Sequence, residues 1–142
     1  MKNLEHIGIA VKSLKVSVPL FEKLLNTTCY KTESVESEHV NTAFFQLSQA
    51  NKFEGSTKIE LLESSTEDGV IAKFIEKKGE GIHHLAFEVE DIYAEMERMR
   101  KEGFKLLNET PKNGADQKLV CFLHPKDTNG VLIELCQQIK SS

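Results

Sequence analysis

Two pairs of segments in this chain repeat one another. HIGIAVKSL, residues 6–14, matches HLAFEVEDI, residues 84–92, position for position in residue type, and TKIELLE, residues 57–63, matches VLIELCQ, residues 131–137, around a shared Ile-Glu-Leu. The spacing from the first segment to the second, His6 to Glu60 and His84 to Glu134, is nearly the same in both copies, so the chain reads as a duplicated module with halves of about 4–64 and 82–138. A duplication restricts the fold sharply. Whatever architecture the first half adopts, the second must adopt again, and residues 1–142 read as one domain made of two repeats joined by a short helical linker.

Each half reads as strand, helix, then three strands, which is an α+β class. In the first half LEHIGIAV precedes SVPLFEKLLN, where Ser17 is the expected N-cap and Pro19 falls in the first turn, a position proline tolerates. Strands are expected near 28–36, 40–47 and 57–63, with SQANKFEGS, residues 48–56, as a loop. In the second half Asp91 caps IYAEMERMRKEG, whose Ile92, Met96 and Met99 form an apolar stripe and whose Gly103 suits a left-handed stop. Strands near 104–108, 118–123 and 130–137 complete it. Between the halves Asp68 is the expected cap of GVIAKFIEKK and Gly79 its end.

Successive strand side chains point to opposite faces. In residues 82–90 His83, Leu85, Phe87 and Val89 share the face expected to pack on the helices, and His84 looks the other way. The same parity turns His6 away from Ile7, Ile9 and Val11, Glu60 away from Ile59 and Leu61, and Glu134 away from Val131, Ile133 and Leu135. Four strands thus each aim one donor away from the helix layer, at repeat-equivalent positions, with small Gly8 and Ala86 leaving room beside them. Two imidazoles and two carboxylates suit a divalent first-row metal, which acts as a Lewis acid on a carbonyl oxygen. A lone strand histidine is ordinarily a hydrogen-bonded bystander; the coincidence of four donors argues against that here.

Composition narrows the partners. A net charge of -4 argues against a nucleic-acid or membrane-surface binder. With 39% hydrophobic and 28% charged residues, and an N-terminus that enters a strand pattern directly, the chain reads as a globular protein, cytoplasmic or a mature organellar chain. Cys29, Cys121 and Cys136 lack metal-finger spacing and read as buried filler. His39 is expected to face solvent and His124 to sit in a turn or at a strand end.

HIGIAV, TKIELLE, IAKFIEKKGEGIHHLAFEVEDI and FLHPKDTNGVLIEL, in this order and over nearly the whole chain, resemble the vicinal oxygen chelate superfamily and, within it, the methylmalonyl-CoA epimerases. The resemblance implies paired βαβββ modules in a cup-shaped mixed sheet with helices on its outer face. It implies metal ligands at His6, His84 and Glu134 with Glu60 as the fourth, cobalt as the ion with manganese, nickel or zinc also suited, and a homodimer; Glu134 is the candidate catalytic residue, as ligand, base or both. It implies interconversion of (R)- and (S)-methylmalonyl-CoA by removal and return of the C2 proton, through an enolate stabilised by the metal. Lys112, Lys118 and Lys126 are candidates for binding the CoA phosphates, although each also reads as an ordinary surface lysine. The family suggests a further carboxylate on the third strand; His39-Val40-Asn41-Thr42-Ala43 has none, and although Glu36 and Glu38 lie nearby, the second proton carrier is unassigned. A glyoxalase-like isomerase, a ring-cleaving dioxygenase and a non-catalytic small-ligand or metal-binding module are the alternatives.

Overall fold

The computed structural model describes residues 1–47 and 56–140, so most of the expected 48–56 loop lies outside the described residues. The elements are β1 (Asn3–Ala10), α1 (Leu14–Leu25), β2 (Lys31–Val35), β3 (Val40–Gln46), β4 (Lys58–Ser64), α2 (Val70–Lys78), β5 (Gly81–Glu88), α3 (Ile92–Lys101), β6 (Lys112–Gly114), β7 (Lys118–Leu123) and β8 (Ile133–Gln138). They form two compact units, His6–His83, and Met1–Glu5 with His84–Ser142. Strand, helix and three strands recur in each half, as the duplication requires.

In the N-terminal unit the strands run β2-β3-β4-β1. β2 and β4 flank β3 antiparallel, and β1 joins β4 parallel, the arrangement a crossover helix permits. Ala43, Phe45, Ile59 and Leu61 pack with Ile7 and Ile9 against Leu14, Val18, Phe21 and Leu25 of α1. On the opposite face Ala10, Val40 and Leu62 pack with Ile71, Phe74 and Ile75 of α2. The linker helix therefore covers part of the face that carries His6 and Glu60.

In the C-terminal unit the order is β5-β8-β7-β6. Cys121, Leu123 and Leu135 pack under Ile92, Met96 and Met99 of α3, the stripe read from the sequence. Ala86, Val120 and Cys136 form a smaller cluster on the other face.

Helix α1 is capped at Ser13, four residues before the expected cap. Ser13, in an extended conformation, accepts a hydrogen bond from the Val16 N–H, and the Glu63 carboxylate accepts from the Leu14 N–H at 3.0 Å. With two acceptors at the first turn Ser17 becomes interior and buried, and Pro19 lies inside the helix on its exposed side, where water reaches the carbonyl it cannot serve. The second module repeats the device: Asp91 accepts from the Ala94 N–H at 3.1 Å and Gln137 from the Ile92 N–H at 2.7 Å. Gly103, at φ 92°, stops α3 as expected. Helix α2 is capped by Gly69 without a side-chain bond, not by Asp68, and ends at Gly79 with φ 79°.

The expected strand at 104–108 is replaced by a single bridge, Leu106 to Leu123. Its main chain does lie against β7, with the Leu107 N–H donating to the Phe122 carbonyl at 2.8 Å. The Asn108 side chain then interrupts the ladder: its Oδ1 accepts from the Phe122 N–H at 3.1 Å, a place a backbone carbonyl would otherwise take. The short strand β6 forms four residues further on. On β1 His6, Gly8 and Ala10 are buried, while Ile7 and Ile9, on the helix-packed face, are half-buried.

Candidate metal centre

His6 on β1 and Glu60 on β4 belong to the N-terminal unit, where Gly8 pairs in register with Glu60. The imidazole Nε2 lies 3.8 Å from a Glu60 carboxylate oxygen, and the two residues are 5% exposed. The C-terminal unit repeats this pair. Ala86 is in register with Glu134, His84 Nε2 lies 3.8 Å from a Glu134 oxygen, and these residues are 3% and 6% exposed. A phenylalanine stands beside each carboxylate on the neighbouring strand, Phe44 next to Glu60 and Phe122 next to Glu134. Phe122 meets the His84 ring edge-on, with centroids 5.9 Å apart at 86°; Phe44 packs on Tyr30 at 6.2 Å.

These pairs fit a divalent ion. Donors about 2.1 Å from one ion stand roughly 3–3.5 Å apart at ordinary coordination angles, close to the 3.8 Å in both units. The same separation is too long for a hydrogen bond. Burying a carboxylate beside an aromatic ring is unfavourable unless a cation compensates it. Imidazole and carboxylate are, moreover, donors of the type that hold a divalent first-row metal ion.

The remaining candidates separate by position. Lys112 on β6 and Lys126 in the turn before β8 are exposed. Lys118 is 3% exposed, hydrogen-bonds Gln138, and has its ammonium 3.8 Å from Glu5 and 3.9 Å from Asp116. Glu36 and Glu38 occupy a 3₁₀ turn after β2, with Glu36 exposed and Glu38 half-buried. His39 is exposed at φ 55°, as expected for a solvent-facing residue. His124 caps the Pro125–Thr128 turn, its Nδ1 accepting from the Lys126 N–H at 3.1 Å. His83 packs edge-on against Phe74, with centroids 4.9 Å apart; burial, aided by the Lys78 charge, lowers its pKa to about 4. The three cysteines are free thiols, and burial raises the pKa of Cys121 and Cys136.

Two charged groups on the Glu60 face escaped the sequence reading. Lys31 is in register with Phe44 and Glu33 with Thr42, which puts both on that face. The period-two parity of KTESV carries the signal, but only the pairing of β2 with β3 says which face it is.

Residues 5–122 match the Glyoxalase/Bleomycin resistance protein/Dioxygenase superfamily. The chain is 39% identical over 136 residues to the ethylmalonyl-CoA/methylmalonyl-CoA epimerase of Cereibacter sphaeroides, covering 94% of this chain and 96% of that one. It is 36% identical to the human mitochondrial methylmalonyl-CoA epimerase, over 94% of this chain and 73% of the human one. A solved structure of a Streptomyces coelicolor methylmalonyl-CoA epimerase variant, in complex with 2-nitronate-propionyl-CoA, superposes with a TM-score of 0.91 at 32% identity, over 99% of both chains. The α+β class with paired βαβββ modules is thus the fold of solved relatives along the whole chain. The chain belongs to the methylmalonyl-CoA epimerase family of the Glyoxalase/Bleomycin resistance protein/Dioxygenase superfamily.

Proposed function

We propose that this chain is a metal-dependent isomerase that interconverts (R)- and (S)-methylmalonyl-CoA. The observation that carries the reading is the buried imidazole–carboxylate pair, built the same way in both modules. Family membership supplies the substrate. In this reading the units form one vicinal oxygen chelate domain, and His6, Glu60, His84 and Glu134 together hold one divalent ion, with cobalt expected and manganese, nickel or zinc also suited. When bound, the ion supplies Lewis acidity that stabilises negative charge on the substrate's oxygens.

The protein's own groups then have defined tasks. The C2 hydrogen lies between a thioester and a carboxylate, so its removal leaves a delocalised enolate. Glu134 is assigned as the base that takes this proton. Phe44 and Phe122 keep water from the carboxylates beside them. Lys112 and Lys126, exposed in the second module, are assigned to the CoA phosphates, whereas Lys118 is assigned to its cluster with Glu5, Asp116 and Gln138. A homodimer in the cytoplasm completes the proposal. Among the described residues no helix is long and apolar enough to cross a membrane.

The test is proton exchange. The metal-loaded protein is incubated with one epimer in deuterated water, and deuterium at C2 and the other epimer are followed, with His84→Ala and a chelated sample as controls. Exchange with inversion, lost in both controls, is the expected result. A folded, metal-loaded protein that gives neither would refute the reading.

A further inference from the structure

Inversion at C2 needs a second group, because a proton taken from one side must be returned to the other. On the Glu60 face of the N-terminal unit, strand register orders the candidates on β2, β3 and β4. One row is Lys31–Phe44–Glu60, the next is Glu33–Thr42–Leu62, and the third is Val35–Val40–Ser64. Among the described residues of β2, β3 and β4, Glu60 and Glu33 are the carboxylates on this face. Glu63 points to the other face, where it accepts from the Leu14 N–H at 3.0 Å and lies 3.4 Å from Asn41 Nδ2. Glu36 and Glu38 come after the third row, on the turn beyond Val35, and that row is already about 13 Å along the strands from Glu60.

From these rows we infer that Glu33 is the second proton-transfer residue, an inference that rests on the epimerase reading above. Two strand spacings and one two-residue step place the Glu33 and Glu60 main chains roughly 12 Å apart on one face. Two glutamate side chains reaching inward across that distance leave space for a small acyl group. Glu33 is built to serve there. The Lys31 ammonium lies 3.2 Å from its carboxylate and 5.9 Å from the Phe44 ring centroid, and the Thr42 hydroxyl donates to the Glu33 carbonyl at 3.2 Å, tying β2 to β3. The Glu33 side chain is 29% exposed, open enough to exchange its proton with solvent between turnovers.

The step balances as follows. Glu134 as carboxylate takes the C2 proton, and the C–H electron pair enters the enolate. Glu33 as carboxylic acid delivers its proton to the opposite side of C2; the enolate pair forms the new C–H bond and Glu33 is left as carboxylate, held by Lys31. For the other epimer the two residues exchange roles. No oxidant or further reactant is needed.

The experiment uses metal-loaded Glu33→Gln protein with each pure epimer in deuterated water. Inversion is expected to fall at least about 100-fold, the lower range for loss of a general acid or base. The epimer whose proton faces Glu134 should still exchange it for deuterium without inverting, while exchange from the other epimer falls with inversion. Cobalt affinity by calorimetry and the melting temperature should match wild type, since Glu33 is neither ligand nor core, and Glu33→Asp should recover part of the inversion. Inversion by Glu33→Gln within threefold of wild type overturns the assignment, as does an equal loss of exchange from both epimers. A wild-type protein that inverts neither epimer overturns the epimerase reading and this assignment with it.

Discussion

Replacing Lys118 by methionine should destabilise this protein far more than the loss of a lysine normally does. The residue is 3% exposed, and its ammonium faces two carboxylates, Glu5 at 3.8 Å and Asp116 at 3.9 Å, besides its hydrogen bond to Gln138. Its counterpart in the first module is Val40, since Val40 pairs with Ser64 as Lys118 pairs with Gln138. An apolar side chain therefore fits this place in the module. The penalty comes from the carboxylates that Lys118→Met leaves behind, above all Glu5, which is 8% exposed. Breaking a buried pair from one side costs about 3–5 kcal/mol; because Asp116 is more open, about 3 kcal/mol is expected. At 2–4 °C per kcal/mol for chains of roughly this length, the melting temperature falls by about 6–12 °C. Thermal and urea melts of metal-free protein measure this, and the double variant Lys118→Met with Glu5→Gln should regain at least about half of the loss. A single variant melting within about 2 °C of wild type, or a double variant no better than the sum of its parts, would refute the reasoning.

Acid should weaken the fold through His83. Its folded-state pKa of about 4 lies below the 6.5 of the unfolded chain, so between these values the unfolded state binds a proton that the folded state does not, and stability drops as pH falls through that window. The full effect is at most about 3 kcal/mol; urea melts from pH 7 to 4 should show a shallower decline in His83→Phe, and equal slopes would contradict it. Gln137→Ala removes the acceptor of the Ile92 N–H and should cost about 1 kcal/mol, with hydrogen exchange accelerated in the first turn of α3. Unchanged protection at Ile92 would show that the bond contributes nothing.

The duplication makes most of the architecture legible in the sequence, because two copies of one pattern check each other. Parity placed His6, Glu60, His84 and Glu134 on their faces correctly, since a strand has only two faces to choose between. What escaped depended on partners distant in sequence. Ser17 looked like a cap because Glu63, which pins the true start of α1 at Leu14, lies on another strand. Residues 104–108 looked like a strand because nothing local reveals that Asn108 takes a ladder position with its side chain. Lys118 looked like a surface lysine because its partner Glu5 lies over a hundred residues away in the chain. Glu33 was passed over because β2 acquires a defined inner face only through its register with β3.

The acceptors that fix the two helix starts also limit how the copies can diverge. Glu63 lies three residues after Glu60 on β4, and Gln137 three after Glu134 on β8. An odd spacing sends one side chain of each pair to the donor face and the other to the helix face. Deleting or inserting one residue between them would put both on the same face, so the module would lose either its carboxylate donor or its hold on the helix. Point changes remain affordable, as the glutamate-to-glutamine difference between the copies illustrates. Single-residue length changes within these segments do not, so randomised libraries of this chain should accept volume-conserving apolar substitutions at the buried positions 61–62 and 135–136 while rejecting one-residue insertions and deletions there.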